Sequence, residues 1–168
     1  VAASLFLSVE EGATVRVCRD VVHLRTCQPT QFVDLTELVA ERVRRARVRD
    51  GMVTVQSRHT TAAVLVNENE PLLLKDLEDA LERWAPAGAL YRHNDLASRQ
   101  DPAPDEKPNG HAHARALLLG TSVCLNVADG RLDLGRWQSV FLVELDGPRP
   151  RSVSIHVLGL GADVRARP

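Results

Sequence analysis

Ser57-Arg58-His59-Thr60-Thr61-Ala62-Ala63-Val64-Leu65-Val66-Asn67-Glu68-Asn69 puts an imidazole and two hydroxyls at the head of an apolar run and closes it with three polar residues. Side chains alternate faces along a strand. Read as one strand, the stretch places His59, Thr61, Ala63, Leu65 and Asn67 on one face, and Thr60, Ala62, Val64, Val66 and Glu68 on the other. A strand apolar on both faces is buried on both. His59 then sits at the mouth of a rigid support, where an imidazole serves a ligand. The plainer reading is a histidine satisfied by a local hydrogen bond at a strand end.

Upstream, Met52 to Gln56 reads as a strand leading into this stretch. Before it, Asp34-Leu35-Thr36-Glu37 has the pattern of a helix start. Leu35, Leu38, Val39, Val43 and Ala46 then follow at helical spacing. The arginines of that helix read as a solvated face, since interleaved aromatics are missing and the net charge is only -1. Val21 to Cys27 alternates as a half-buried strand with His23 on its polar face. Residues 1–20 read as an N-terminal extension or an edge strand, 21–160 as one domain, and 161–168 as a tail.

Downstream, Pro71 suits a first helical turn. Leu73, Leu77, Ala80, Leu81 and Trp84 form the stripe of that helix. Residues Leu96 to Gly110 carry three prolines and no periodicity, so they read as a loop, either functional or mobile. Asn109-Gly110 opens a short helix ended by Gly120, with His113 facing the core beside Ala116 and Leu117. The rest reads as antiparallel strands: Thr121 to Val127, Arg131 to Leu134, Trp137 to Leu145 and Arg151 to Leu158, with turns at Asp129-Gly130 and Asp146-Gly147-Pro148. Glu144 continues a strand apolar on both faces. A buried carboxylate needs a partner; Arg136, Arg149 or a site histidine are the candidates.

Composition sets the outer bounds. The 168 residues, 44% apolar and 26% charged, suit one globular domain. The near-neutral charge gives no argument for nucleic acid or an anionic membrane. No run reaches the roughly 18 apolar residues of a membrane helix, and Val1 to Val9 lacks the marks of a signal peptide. Cys18, Cys27 and Cys124 are odd in number and have no metal-ribbon spacing, so reduced thiols and a cytoplasmic location are expected.

Taken in order, His59-Thr60-Thr61-Ala62-Ala63, Asn67-Glu68-Asn69, Tyr91-Arg92-His93, Asn109-Gly110-His111-Ala112-His113, Leu118-Leu119-Gly120, Asp129-Gly130-Arg131-Leu132, Leu134-Gly135-Arg136-Trp137-Gln138 and Glu144-Leu145-Asp146-Gly147-Pro148-Arg149 resemble the YjbQ-like family from about Val21 to Val157. The resemblance implies an α+β fold with antiparallel-rich β-sheets and flanking helices, assembled as a homotrimer. It also implies a histidine-lined pocket holding a divalent metal ion, zinc or magnesium, with His59, His93 and His113 as ligands. Many members have Asp-Ala-His where this chain has His111-Ala112-His113, which bears on the ligand set.

The activity associated with the family is secondary thiamine-phosphate synthase. A transferase of that kind joins a pyrimidine diphosphate to a thiazole phosphate with loss of pyrophosphate. In that reading the bound ligand is a small phosphorylated molecule. Arg136 balances its charge, Thr60 and Thr61 orient it, and Glu144 belongs to the site. Three imidazoles leave a zinc-like ion one open position for Lewis-acid chemistry. Two alternatives share the pocket: a non-catalytic trimer that binds a metal or small ligand, and a metal-dependent hydrolase. The first is favoured by the lack of an acidic magnesium cluster.

Overall fold

Alternation of half-buried and exposed residues along β1 (Val15–Arg25) marks the edge of a five-stranded sheet, ordered β1-β8-β3-β5-β6. The computed structural model describes residues 14–102 and 106–161. In that sheet β1 pairs with β8 (Pro150–Gly161), β8 with β3 (Val48–Ser57), β3 with β5 (Ser122–Ala128), and β5 with the short β6 (Arg131–Leu132), all antiparallel. A second sheet of three strands runs β2 (Gln31–Asp34), β7 (Gln138–Glu144), β4 (Ala62–Glu68). The expected α+β fold with antiparallel sheets and flanking helices is the one observed. Of the expected N-terminal extension, Val15–Asp20 belongs to the edge strand β1. Residues 1–13, like 162–168 of the expected tail, lie outside the described residues.

The opening stretch is not one strand. β3 ends at Ser57, Arg58 to Thr61 turn, and β4 begins at Ala62 in the other sheet. The turn is pinned at its start, where Ser57 N donates to Thr121 O (2.8 Å) and Arg58 N to Ser152 O (3.1 Å). Apolar periodicity carried across the junction because both flanking strands are buried. It hid the change of sheet. The late strands divide similarly: β5 and β6 form a hairpin over Asp129-Gly130, both at positive φ, while β7 lies in the three-stranded sheet.

Both faces of that small sheet are covered, which explains the unbroken apolar run in β7. Val64, Val140 and Leu142 pack with Val53, Val55, Val153, Ile155 and Val157 of the larger sheet and with Leu35, Val39 and Val43 of α1 (Thr36–Ala46). On the other face, Ala63, Phe141, Val143 and Leu145 meet Leu81 of α2 (Pro71–Trp84) and Ala112 and Ala116 of α3 (Gly110–Leu119). Phe32 stands edge-on to Phe141 with ring centroids 5.8 Å apart. Each fully buried valine or leucine stabilises the fold by roughly 1.5–3 kcal/mol.

Capping fixes the helix starts. Asp34 Oδ1 accepts from Thr36 N at 2.8 Å, whereas Glu37, rather than closing a capping box, pairs with Arg44 (2.6 Å). Glu70 accepts from Leu72 N and Leu73 N ahead of α2, and these backbone bonds hold its carboxyl below the usual range. Two expected core residues are exposed instead: Trp84 at the end of α2 and Leu117 on α3. α3 turns Ala112, Arg115 and Ala116 inward, because the small alanines let it approach β4 and Arg115 reaches Ala85 O (3.0 Å) and Glu82.

Candidate functional site

The turn between β3 and β4, the one-turn helix Arg92–Asn94, the start of α3 and the turn after β7 meet around one cavity of about 490 Å³. Arg58, His59, Thr60 and Thr61 enter from the first. His93 comes from the second, and Asn109 and His113 from the third. Asp146, Arg149 and Arg151 come from the turn after β7 and the start of β8, and Arg99 and Glu106 from the irregular segment before α3. His59, His93, His113, Thr60 and Thr61 therefore do share one cavity.

The His93 and His113 rings stand edge to face, centroids 4.6 Å apart. Gly110 makes this possible. Its N donates to Asn94 Oδ1 (2.9 Å), which ties the one-turn helix to α3, and a Cβ there would lie 2.5 Å from Tyr91 Cβ. Burial first, and then the neighbouring His93, hold the His113 imidazole below its ordinary pKa. His93 Nε2 and Asn109 Oδ1 are buried and have no hydrogen-bond partner among the described residues. Both atoms keep hydrogen-bonding capacity that the described residues do not use.

His59 is held differently. Its Nε2 receives the backbone N–H of Ser152 at 2.8 Å and lies 3.1 Å from Ser152 Oγ. A backbone N–H can only donate, so Nε2 must be the unprotonated nitrogen and Nδ1 carries the proton. Burial, followed by the charge of Arg151, keeps this ring neutral to lower pH than usual. Either imidazole nitrogen can ligate a metal, and with Nε2 committed to the backbone only Nδ1 of His59 is left for that role. Among the described residues, no group of three or more His, Cys, Asp or Glu side chains is arranged to hold a metal ion. His59, His93 and His113 share the cavity without forming, as they stand, the three-imidazole zinc or magnesium site that the resemblance implies.

Glu144 and Arg136 do not line the cavity. Glu144, fully buried, accepts from Arg151 Nε (2.7 Å) and Nη2 (2.5 Å), Thr26 Oγ1 (2.8 Å), Leu145 N (2.9 Å) and Asp146 N (2.8 Å). Burial opposes its ionisation most strongly, yet the bonds from Arg151, Asp146 N–H and Thr26 prevail and hold the carboxyl below the usual range. Its partner is Arg151, not Arg136, Arg149 or a histidine. Arg136 is exposed, with its guanidinium 4.6 Å over the Trp137 ring. Glu144 acts behind the cavity: it fixes Arg151, whose Nη2 also donates to Thr61 Oγ1 at 3.0 Å.

The cavity residues absent from the sequence-derived set are Arg58, Arg99, Glu106, Asn109, Asp146, Arg149 and Arg151. Asn109 Nδ2 donates to Asp146 Oδ2 (3.0 Å), and Arg149 Nη2 pairs with the same carboxylate (3.0 Å). Four arginines against Asp146 and Glu106 give the lining an excess of positive charge. Such a surface, with neutral imidazoles beside it, suits a phosphate ester.

Comparison with known proteins identifies the family and the fold. The family described as "UPF0047 protein YjbQ-like" matches residues 20–160. The chain belongs to the YjbQ-like family. A UPF0047 protein of Methanothermobacter thermautotrophicus is 38% identical over 148 residues, covering 88% of this chain and 96% of that protein. YugU of Bacillus subtilis is 29% identical over 140 residues, 82% of this chain and 97% of its own. Among solved structures, a YbjQ-like protein of unknown function from Sulfolobus solfataricus superposes with a TM-score of 0.79 at 31% identity, covering 87% of this YjbQ-like chain and 99% of that one. A family member from Clostridium acetobutylicum gives 0.73 at 34%, with 82% and 98% covered.

Proposed function

We propose that the cavity binds a small phosphorylated molecule and that the protein is a transferase of the thiamine-phosphate synthase kind. The observation that carries the reading is the convergence of Arg58, Arg99, Arg149 and Arg151 with the His93–His113 pair on one void. In the transfer, the carbon–oxygen bond of a pyrimidine diphosphate breaks while the new bond to the thiazole phosphate forms, and pyrophosphate leaves. Arginine forks take the charge that grows on the departing diphosphate. The imidazole pair borders it as hydrogen-bonding groups. His59 offers its Nδ1–H, and Thr60 and Thr61 border the ligand.

The test is pyrophosphate release from the two precursors, measured against a no-enzyme control. Release that falls at least tenfold in His113→Ala and His59→Ala supports the reading; release equal to wild type in both removes the cavity from the chemistry. A second reading, retention of the ligand without reaction, is favoured by a specific feature: Arg99, Arg149 and Arg151 already hold the carboxylates of Glu106, Asp146 and Glu144. Calorimetric binding of pyrophosphate with no release from the precursors would select it.

The homotrimer implied by the resemblance is part of the same proposal. It is supported by the exposed Val15, Val17, Val21, Met52 and Leu158 on the outer face of the larger sheet. A solution mass of three times 18.5 kDa is expected by light scattering, and a monomer mass would count against it. No helix of the described residues is long and apolar enough to cross a membrane. A cytoplasmic location is likewise proposed, in keeping with three free thiols.

A further inference from the structure

Asn109 precedes the first turn of α3, yet its side chain leaves undone what an asparagine ordinarily does there. At an N-cap the side-chain oxygen accepts from an N–H of the first turn. Here no such bond forms, and Ala112 N (2.9 Å) and His113 N (3.3 Å) donate to the backbone oxygen of Asn109 instead. The amide is engaged elsewhere: its Nδ2 donates to Asp146 Oδ2 at 3.0 Å. That oxygen also pairs with Arg149 Nη2, so it belongs to a carboxylate, which only accepts. The contact therefore fixes which end of the amide is nitrogen, and Oδ1 is left as an acceptor. Asn109 lines the cavity, is only 6% exposed, and this oxygen is buried with no hydrogen-bond partner among the described residues.

We infer that Asn109 Oδ1 reads the organic part of the ligand: it accepts a hydrogen bond from an uncharged N–H or O–H group, so the cavity selects phosphorylated molecules that carry such a donor. The inference rests on the phosphate reading of the cavity. The phosphate itself does not suit this position, because its ionised oxygens are acceptors and would meet another acceptor. It belongs with the arginines. A donor on the attached organic group completes the one bond that Asn109 lacks. A ligand of the same shape without a donor closes the oxygen off from water unpaired. Asp146 also keeps the amide from turning its nitrogen to the ligand, so a carbonyl in the donor's place is refused as well. An amino group on the pyrimidine ring of the proposed diphosphate is a donor of the required kind. Asn109 is then a specificity residue, and its acceptor oxygen is the active property.

Titration calorimetry of the whole chain tests this with two probes, (aminopyrimidinyl)methyl phosphate and its analogue with methyl in place of the amino group, at a pH where both rings are uncharged. Inorganic pyrophosphate is the control. Wild type should bind the amino compound about tenfold more tightly than the methyl compound, the worth of one hydrogen bond to a buried acceptor. Asn109→Ala should reduce that ratio to about twofold or less, and so should Asn109→Ser, which supplies an ordinary N-cap and guards against a folding defect. The ratio is read rather than either affinity, because losing the bond to Asp146 affects both probes alike. If wild type binds the two probes equally, if it binds pyrophosphate and neither probe, or if the ratio survives in a folded variant, this inference falls and the phosphate cavity stands. If wild type binds neither probe nor pyrophosphate, the phosphate reading falls and takes this one with it.

Discussion

Glu144 and Arg151 show how a buried pair shapes a site without touching its ligand. Arg151 spends its Nε on Glu144 and shares Nη2 between Glu144 and Thr61, so the carboxylate decides where the guanidinium faces the cavity. Glu144→Gln leaves that guanidinium buried against a neutral amide, and removing one partner of a buried pair costs about 3–5 kcal/mol. Urea unfolding should register the loss in the midpoint with an unchanged slope. A change within experimental error would mean that Arg151 finds its compensation elsewhere. His59 makes a second residue-scale prediction. With Nε2 accepting from Ser152 N–H, two-bond ¹H–¹⁵N spectra at pH 7 should show Nδ1 protonated and Nε2 bare. The opposite tautomer would break the geometric argument against His59 as an Nε2 metal ligand.

At the level of elements, the site depends on how closely α3 approaches the one-turn helix that carries His93. Gly110 permits it: an added Cβ would meet Tyr91 Cβ at 2.5 Å and Cγ at 2.7 Å. Gly110→Ala must therefore push Tyr91 away and part His93 from His113. Overpacking of this kind costs about 1–3 kcal/mol. Pyrophosphate affinity should drop more than tenfold while far-UV circular dichroism stays native; unchanged affinity would show that the pair's spacing does not matter.

The sequence carried the elements well and their partition poorly. Asp34, Pro71, Gly120 and Asp129-Gly130 announce helix ends and a hairpin through local chemistry, and they stand where expected. The change of sheet at Arg58 to Thr61 leaves no local mark, since Ser57 and Ala62 are both buried. His59, His93 and His113 were legible as cavity residues. The arginines were not, because charge along a chain does not say which of twenty-one basic residues converge. Arg136 has the right chemistry in the wrong place.

Across the whole molecule, three partly buried imidazoles make stability depend on mild acid. His59, His111 and His113 all have pKa values lowered from 6.5, in each case chiefly by burial. Their ordinary value applies in the unfolded chain, which therefore binds more protons than the native state between the two pKa values. Native stability is then complete above about pH 6.5 and falls as the pH drops through the window toward the depressed values. A polyanion in the cavity reverses the local preference: it favours protonated rings, so the complex takes up protons that the free protein refuses. The unfolding temperature of the free protein should therefore decline from pH 7 to pH 5.5, while the increment given by saturating pyrophosphate grows over the same range. Differential scanning calorimetry in buffers of matched ionic strength measures both slopes. An increment that is flat or shrinks on acidification would mean that the bound anion sits away from His59 and His113, and the arginines alone would have to account for its affinity.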